Sequence, residues 1–156
     1  MSSVERDFDR LAQLSEQGWN GNNHYHKFLL RQLPADCNDV LEIGCGTGAF
    51  SRAVAGRAQR VLAIDLSSEM IRVAQSRSRQ FPQIEFKIGD VMSRDLPPAA
   101  FDCIATIATL HHLPADAVLL KLRNALRPGG VLLVLDLYQP EKNLWRPAVW
   151  PTRSLI

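Results

Sequence analysis

Polar and apolar positions follow two rhythms along this chain. Compact apolar blocks over 39–43, 60–65, 84–88, 101–107 and 131–137 predict strands, and stretches at helical spacing over 49–56, 68–80 and 115–126 predict helices between them. Ahead of these, Val4, Phe8, Leu11 and Leu14 recur at helical spacing over 4–17, and Gly18 ends that helix. A turn-rich joint follows, and Tyr25, Phe28 and Leu29 share one face of a second helix over 24–33, which Pro34 closes. Strands alternating with helices imply βαβ units: an α/β domain with a mainly parallel sheet, five strands recognisable, and helices on both faces. The chain then divides into N-terminal helices over 1–37 as a candidate lid, an α/β core over 38–138, and an irregular tail over 139–156 punctuated by Pro140, Pro147 and Pro151.

Composition narrows the class without naming a function. A chain of 156 residues is one domain by length, and its 46% apolar and 22% charged residues suit a globular protein with a real core. A formal charge of +2 gives no reason to expect nucleic acid or a membrane surface. Cys37, Cys45 and Cys103 form no paired metal motif and no even disulfide set, which fits a reducing cytoplasm, and no metal site is expected. The charged start, Met1 to Asp7, does not look like a signal peptide, and no apolar run approaches the ~20 residues of a membrane span.

The chemistry gathers where predicted strands end. In an open parallel sheet, ligands collect beyond the carboxyl ends, where strand order reverses. After the first strand, Gly44, Gly46 and Gly48 interrupt the chain before a helix, the form of a nucleotide-binding turn with the ligand at the helix N-terminus. Asp65 closes the second strand, where a carboxylate can accept both hydroxyls of a ribose or cap the following helix. Because Ser67 or Ser68 can cap that helix unaided, the ribose role is favoured. Gly89-Asp90-Val91 ends the third strand, and Asp90 there is either an ordinary turn residue or an acceptor for an adenine amino group. The fourth runs into Leu110-His111-His112-Leu113-Pro114. His111 and His112 suggest acid/base work, although packing or capping before the next helix is the commoner role for such histidines. Arg127-Pro128-Gly129-Gly130 is expected to end that helix and turn the chain into the last strand.

Gly44-x-Gly46-x-x-Ala49 with Asp65 beyond it also satisfies a dinucleotide pattern, so an NAD-dependent oxidoreductase is one reading. Taken together, however, Glu42, the Gly44-x-Gly46-x-Gly48 loop, Asp65, Gly89-Asp90, Phe101-Asp102, Leu110-His111-His112-Leu113 and Arg127-Pro128-Gly129-Gly130 resemble the class I S-adenosylmethionine-dependent methyltransferases, a Rossmann-like, doubly wound family. The likeness covers roughly 39–137 and is most like the group sharing the LHHLP and PGG segments. It implies a methyltransferase that uses S-adenosyl-L-methionine, releases S-adenosyl-L-homocysteine and methylates a small molecule.

The resemblance also implies roles. Glu42 would lie near the methionine amino end through water, and Gly44, Cys45 and Gly46 would pass beneath methionine and ribose. Asp65 would hold the ribose hydroxyls, Leu66 and Met70 would pack on the adenine, Asp90 and Val91 would take its amino edge and face, and Ile107 would offer backbone near the methionine. Cys45 occupies a position that varies in the family and reads as a small loop residue. No catalytic residue is implied. His111, His112 and Tyr25 are the candidates for a base, and Trp19, Asn23, His24, Tyr25 and His26 for a lid over the acceptor.

One departure stands out: the family's sheet has seven strands, and this chain stops at Ile156 with no room for the last two. Either it is a fragment or a compact variant, and a non-catalytic cofactor-binding module is the third reading. The fifth strand would then be a sheet edge, which invites cover by the tail or a homodimer through that strand.

Overall fold

A computed structural model describes residues 23–136, with side chains from Tyr25 onward. The helix expected over 4–17, Trp19 and the tail lie outside the described residues, as do the side chains of Asn23 and His24. Five strands form one parallel sheet: β1 Asp39–Ile43, β2 Arg60–Asp65, β3 Ile84–Ile88, β4 Phe101–Ile107 and β5 Leu126–Leu135. Around them lie α1 Asn23–Arg31, α2 Ala49–Ala55, α3 Ser68–Arg77, α4 Ala115–Ala125 and a single 3-10 turn, Leu110–His112. Among the described residues no helix is long and apolar enough to cross a membrane.

The sheet order is β3-β2-β1-β4-β5. The chain builds outward from β1 through β2 to β3, then crosses back to lay β4 on the other side of β1. Order therefore reverses between β1 and β4, and a crevice opens beyond their carboxyl ends. The two-residue period of β1 sorts its side chains by face. Val40 joins Phe50, Val54, Leu29 and Leu33 in a core beneath α1 and α2, while Leu41 and Ile43 join Ile104, Val118 and Leu122 beneath α4. Glu42 falls on the α2 face with Val40, although only 2% of it is exposed. A carboxyl buried at the centre of a sheet is expensive unless it is partnered or does something.

The start of β5 differs from the sequence expectation. Arg127-Pro128-Gly129-Gly130 was expected to be a turn before a strand at 131, but α4 ends at Ala125 and pairing begins at once, with Phe101 opposite Leu126 and Cys103 opposite Val131. Residues 127–130 thus stand opposite Asp102 alone, an extended bulge with Gly129 at φ +78°. A Cβ on Gly130 would come within 2.9 Å of the Arg127 carbonyl and 3.2 Å of that of Asp102, so the close strand approach excludes a side chain there.

Candidate functional site

The glycine loop makes its tight turn with three left-handed residues, Gly44, Gly46 and Gly48, at φ +70°, +52° and +75°. A Cβ on Gly44 would lie 2.0 Å from Thr109 Oγ1, whereas one on Gly46 would meet no protein atom within 4 Å. Gly44 is therefore shaped by the β4 connector, and Gly46 faces open space.

Four of the loop's amides are taken up within the protein. Gly44 and Cys45 donate to the Ile64 carbonyl at 2.8 and 3.1 Å, Gly46 donates to Asp65 Oδ2 at 2.8 Å, and Gly48 donates to the Cys45 carbonyl at 2.9 Å. Amides turned inward in this way are not aimed at a phosphate. What the loop offers a ligand is open space at Gly46, where no side chain stands.

Three strand ends bring carboxyls to this surface. Asp65 Oδ1 accepts from the Ser67 amide at 2.9 Å while Oδ2 takes Gly46, so Asp65 ties the β2 turn to the glycine loop. Each oxygen of a carboxylate has a second acceptor direction. Ser67 caps α3 itself, accepting from the Met70 amide at 3.0 Å, so the helix does not depend on Asp65 for its cap. Asp90 Oδ1 accepts from the Met92 amide at 2.8 Å in an Asx turn that positions Val91. Glu42 accepts from the Ser51 hydroxyl of α2. Burial pushes its carboxyl up to about 8, and the Ser51 hydrogen bond only partly offsets that.

Glu42, Gly44, Cys45, Gly46, Asp65, Leu66, Met70, Asp90, Val91 and Ile107 all line one cavity of about 650 Å³, together with Thr109, His112 and His26. The cavity lies at the strand-order reversal and is of the size of small-molecule sites. His111 and Tyr25 do not line it. His111 is turned to Asp136, its amide donating to Oδ2 at 2.8 Å and its Nδ1 lying 2.5 Å from Oδ1, and Tyr25 is 46% exposed. His26 packs edge-on against Phe50 with centroids 5.2 Å apart, and burial lowers its pKa. Burial also raises the Cys45 thiol well above its ordinary value, which leaves it a poor nucleophile. No group of three or more metal-ligating side chains occurs among the described residues.

Comparison with known proteins settles the family. Residues 40–130 match the model of a methyltransferase domain. An uncharacterized methyltransferase of Mycobacterium tuberculosis is 34% identical over 138 residues, which are 86% of this chain and 70% of that protein. This chain belongs to the class I S-adenosylmethionine-dependent methyltransferases. A ubiquinone biosynthesis O-methyltransferase of Xylella fastidiosa is 34% identical over 112 residues, 69% of this chain and 45% of that one. Among solved structures, the DhpI complex with SAM and HEP superposes with a TM-score of 0.70 at 26% identity, over 90% of this chain and 65% of that one. The methyltransferase domain here thus spans less than two thirds of both the Xylella enzyme and DhpI.

Two segments that carry the methyltransferase likeness lie at the opposite end of the sheet. Asp102 Oδ2 accepts from the Asn38 and Asp39 amides, each at 2.9 Å, and Arg127 bridges Asp102 at 2.7 Å and Asp39 at 2.9 Å. Phe101-Asp102 and the PGG segment therefore bolt together the amino ends of β1, β4 and β5, far from the cavity. Sequence reading missed Ser51 and Thr109. A serine among the apolar positions of α2 was the signal for the first. Nothing local marks Thr109, whose role depends on β4 lying beside β1.

Proposed function

We propose that this domain binds S-adenosyl-L-methionine across the carboxyl ends of β1 to β4 and transfers its methyl group to a small-molecule acceptor, releasing S-adenosyl-L-homocysteine. The observation that carries this is the charge of the cavity. Its described lining holds Glu42, Asp65 and Asp90 and no lysine or arginine, beside a loop whose amides point inward. A dinucleotide would bring a pyrophosphate dianion against the Asp65 and Asp90 carboxyls, whereas a sulfonium and an ammonium are attracted by them; Glu42, which burial keeps protonated near neutral pH, adds a polar contact and not a charge.

Under this reading Glu42 faces the methionine amino end through water, and Gly44, Cys45 and Gly46 form the floor under methionine and ribose. Asp65 accepts the ribose hydroxyls, Leu66 and Met70 pack on the adenine, Asp90 and Val91 take its edge and face, and Ile107 presents backbone to the methionine. The bound cofactor supplies an activated methyl group, and the chain's task is to align an acceptor with it. Such alignment is worth roughly 7–11 kcal/mol of barrier. Of the three candidate bases, His112 is the one on the cavity wall, placed to take a proton from an acceptor that must lose one. The quinone-pathway relative supports a small acceptor, and the helix that carries His26 would cover it.

Calorimetric titration tests the reading. S-adenosyl-L-homocysteine is expected to bind and NAD to give no heat of binding, with Asp65→Asn weakening the first by ~1.5–3 kcal/mol. Saturable NAD binding with a silent S-adenosyl-L-homocysteine titration would return the chain to the oxidoreductase reading.

A further inference from the structure

The paired histidines after β4 divide their work, and the one turned away from the cavity touches a carboxylate on another strand. Asp136 follows β5 directly and grips residue 111 with both oxygens, Oδ2 on the amide at 2.8 Å and Oδ1 at 2.5 Å from Nδ1. A second tie joins the same two segments, since the Ala108 amide donates to the Leu135 carbonyl at 2.7 Å. Between these ties the 108–114 connector is bent sharply. Ala108 sits at φ +52°, which a residue with a Cβ holds only under outside constraint.

The bend has a destination. It presses the Thr109 side chain into the space beside Gly44, where any Cβ would meet Oγ1 at 2.0 Å, and Thr109 Oγ1 is itself fixed by donating to the Ile107 carbonyl at 3.0 Å. Ile107, Ala108, Thr109, His112, Leu113 and Pro114 of the connector line the cavity. Asp136 thus holds His111 two residues along the chain from Thr109, whose carbonyl accepts from the His112 amide at 3.0 Å and whose side chain lies beside Gly44.

We propose that Asp136 is a positioning residue for the cofactor site: by clasping His111 it sets the β4 connector, and through Thr109 it sets the glycine loop at Gly44. The inference rests on the reading that this cavity holds S-adenosylmethionine, but its first readout needs no ligand. Removing the clasp leaves the Ala108–Leu135 backbone bond as the tie between the two segments, so that residues 109–111 loosen and Thr109 withdraws from Gly44. Asparagine can restore both bonds, its Oδ1 accepting from the His111 amide and its Nδ2 donating to an unprotonated Nδ1.

The test is amide NMR of the full 156-residue chain with and without S-adenosyl-L-homocysteine. Asp136→Ala is expected to shift the Thr109, Gly44 and Gly46 amide resonances in the free protein and to weaken S-adenosyl-L-homocysteine binding at least tenfold, with Asp136→Asn close to the parent in both. Gly44 and Gly46 resonances that stay at their parental positions in a folded Asp136→Ala protein would overturn the proposal, since the clasp would then be local. If that variant does not fold, His111→Ala, which leaves the backbone tie in place and deletes the ring, decides by the same resonances. A parent that shows no response to S-adenosyl-L-homocysteine would fail the cofactor reading and leave the ligand-free shifts to judge the clasp.

Discussion

Glu42 places a buried carboxyl on the cavity wall at a cost to the fold. Its neighbours on β1 are apolar and buried, and burial holds its carboxyl at about 8. A folded-state value raised above the unfolded one, about 4.3, favours folding most below that unfolded value. This favourable contribution is lost progressively as pH rises and is gone above the folded value. Glu42→Gln keeps an acceptor for Ser51 and carries no proton to lose. Thermal melts are therefore expected to show the variant close to the parent at pH 5 and increasingly more stable than it toward pH 9. A difference that stays constant across that range would mean Glu42 ionises in the fold as it does in water. The glutamate was visible in the sequence as a loop-flanking acid. Its burial against Ser51 was not, because that pairing joins β1 to α2 across the glycine turn.

At the scale of elements, the sheet is fastened at one end and opens onto the cavity at the other. Arg60 and Arg127 together hold the Asp39 carboxyl below its ordinary value. Burial by itself would raise Asp102, but the Arg127 guanidinium and the Asp39 and Asn38 amides outweigh it and bring it down. Depressed carboxyls stabilise the fold above the unfolded value of about 3.9, and that contribution disappears as pH falls through their folded values. Asp102→Ala leaves the Asn38 and Asp39 amides without their acceptor and Arg127 with one of its two carboxylate partners, Asp39. Denaturant unfolding at pH 7 is expected to show a loss of about 1–3 kcal/mol, with S-adenosyl-L-homocysteine affinity unchanged. An affinity that fell in step with stability would show that the two ends are coupled. The pattern of apolar blocks located the described strands and helices to within a few residues because each is one amphipathic or buried run. It failed at β5, where Pro128 and Gly129 look like a terminator. In the fold Arg127 reaches across to Asp102, and that long-range ion pair lets the strand start early.

At the scale of the molecule, β3 and β5 are the sheet's edges among the described residues. Among the described residues β5 pairs with β4 alone, and Val134 on it is 42% exposed. The apolar run over 131–135 on this edge is a template for further pairing unless something covers it. Light scattering is expected to show either a dimer, which Val134→Lys drives toward monomer, or a monomer that loses stability when residues after Tyr138 are removed. A monomer indifferent to both changes would show that β5 needs no cover.

The inward-turned amides of the glycine loop carry a last consequence, for turnover. On the proposed placement, the loop and the carboxyls of Asp65 and Asp90 grip parts that the methyl donor and its spent form have in common. Discrimination between the two then rests on a single positive charge at sulfur and the acidic surroundings that welcome it. A pocket built this way holds its waste nearly as well as its reagent, so each cycle ends with the site still filled. The pace of the reaction in a cell would follow how quickly that residue of the reaction is cleared from solution, as much as how well the acceptor is aligned.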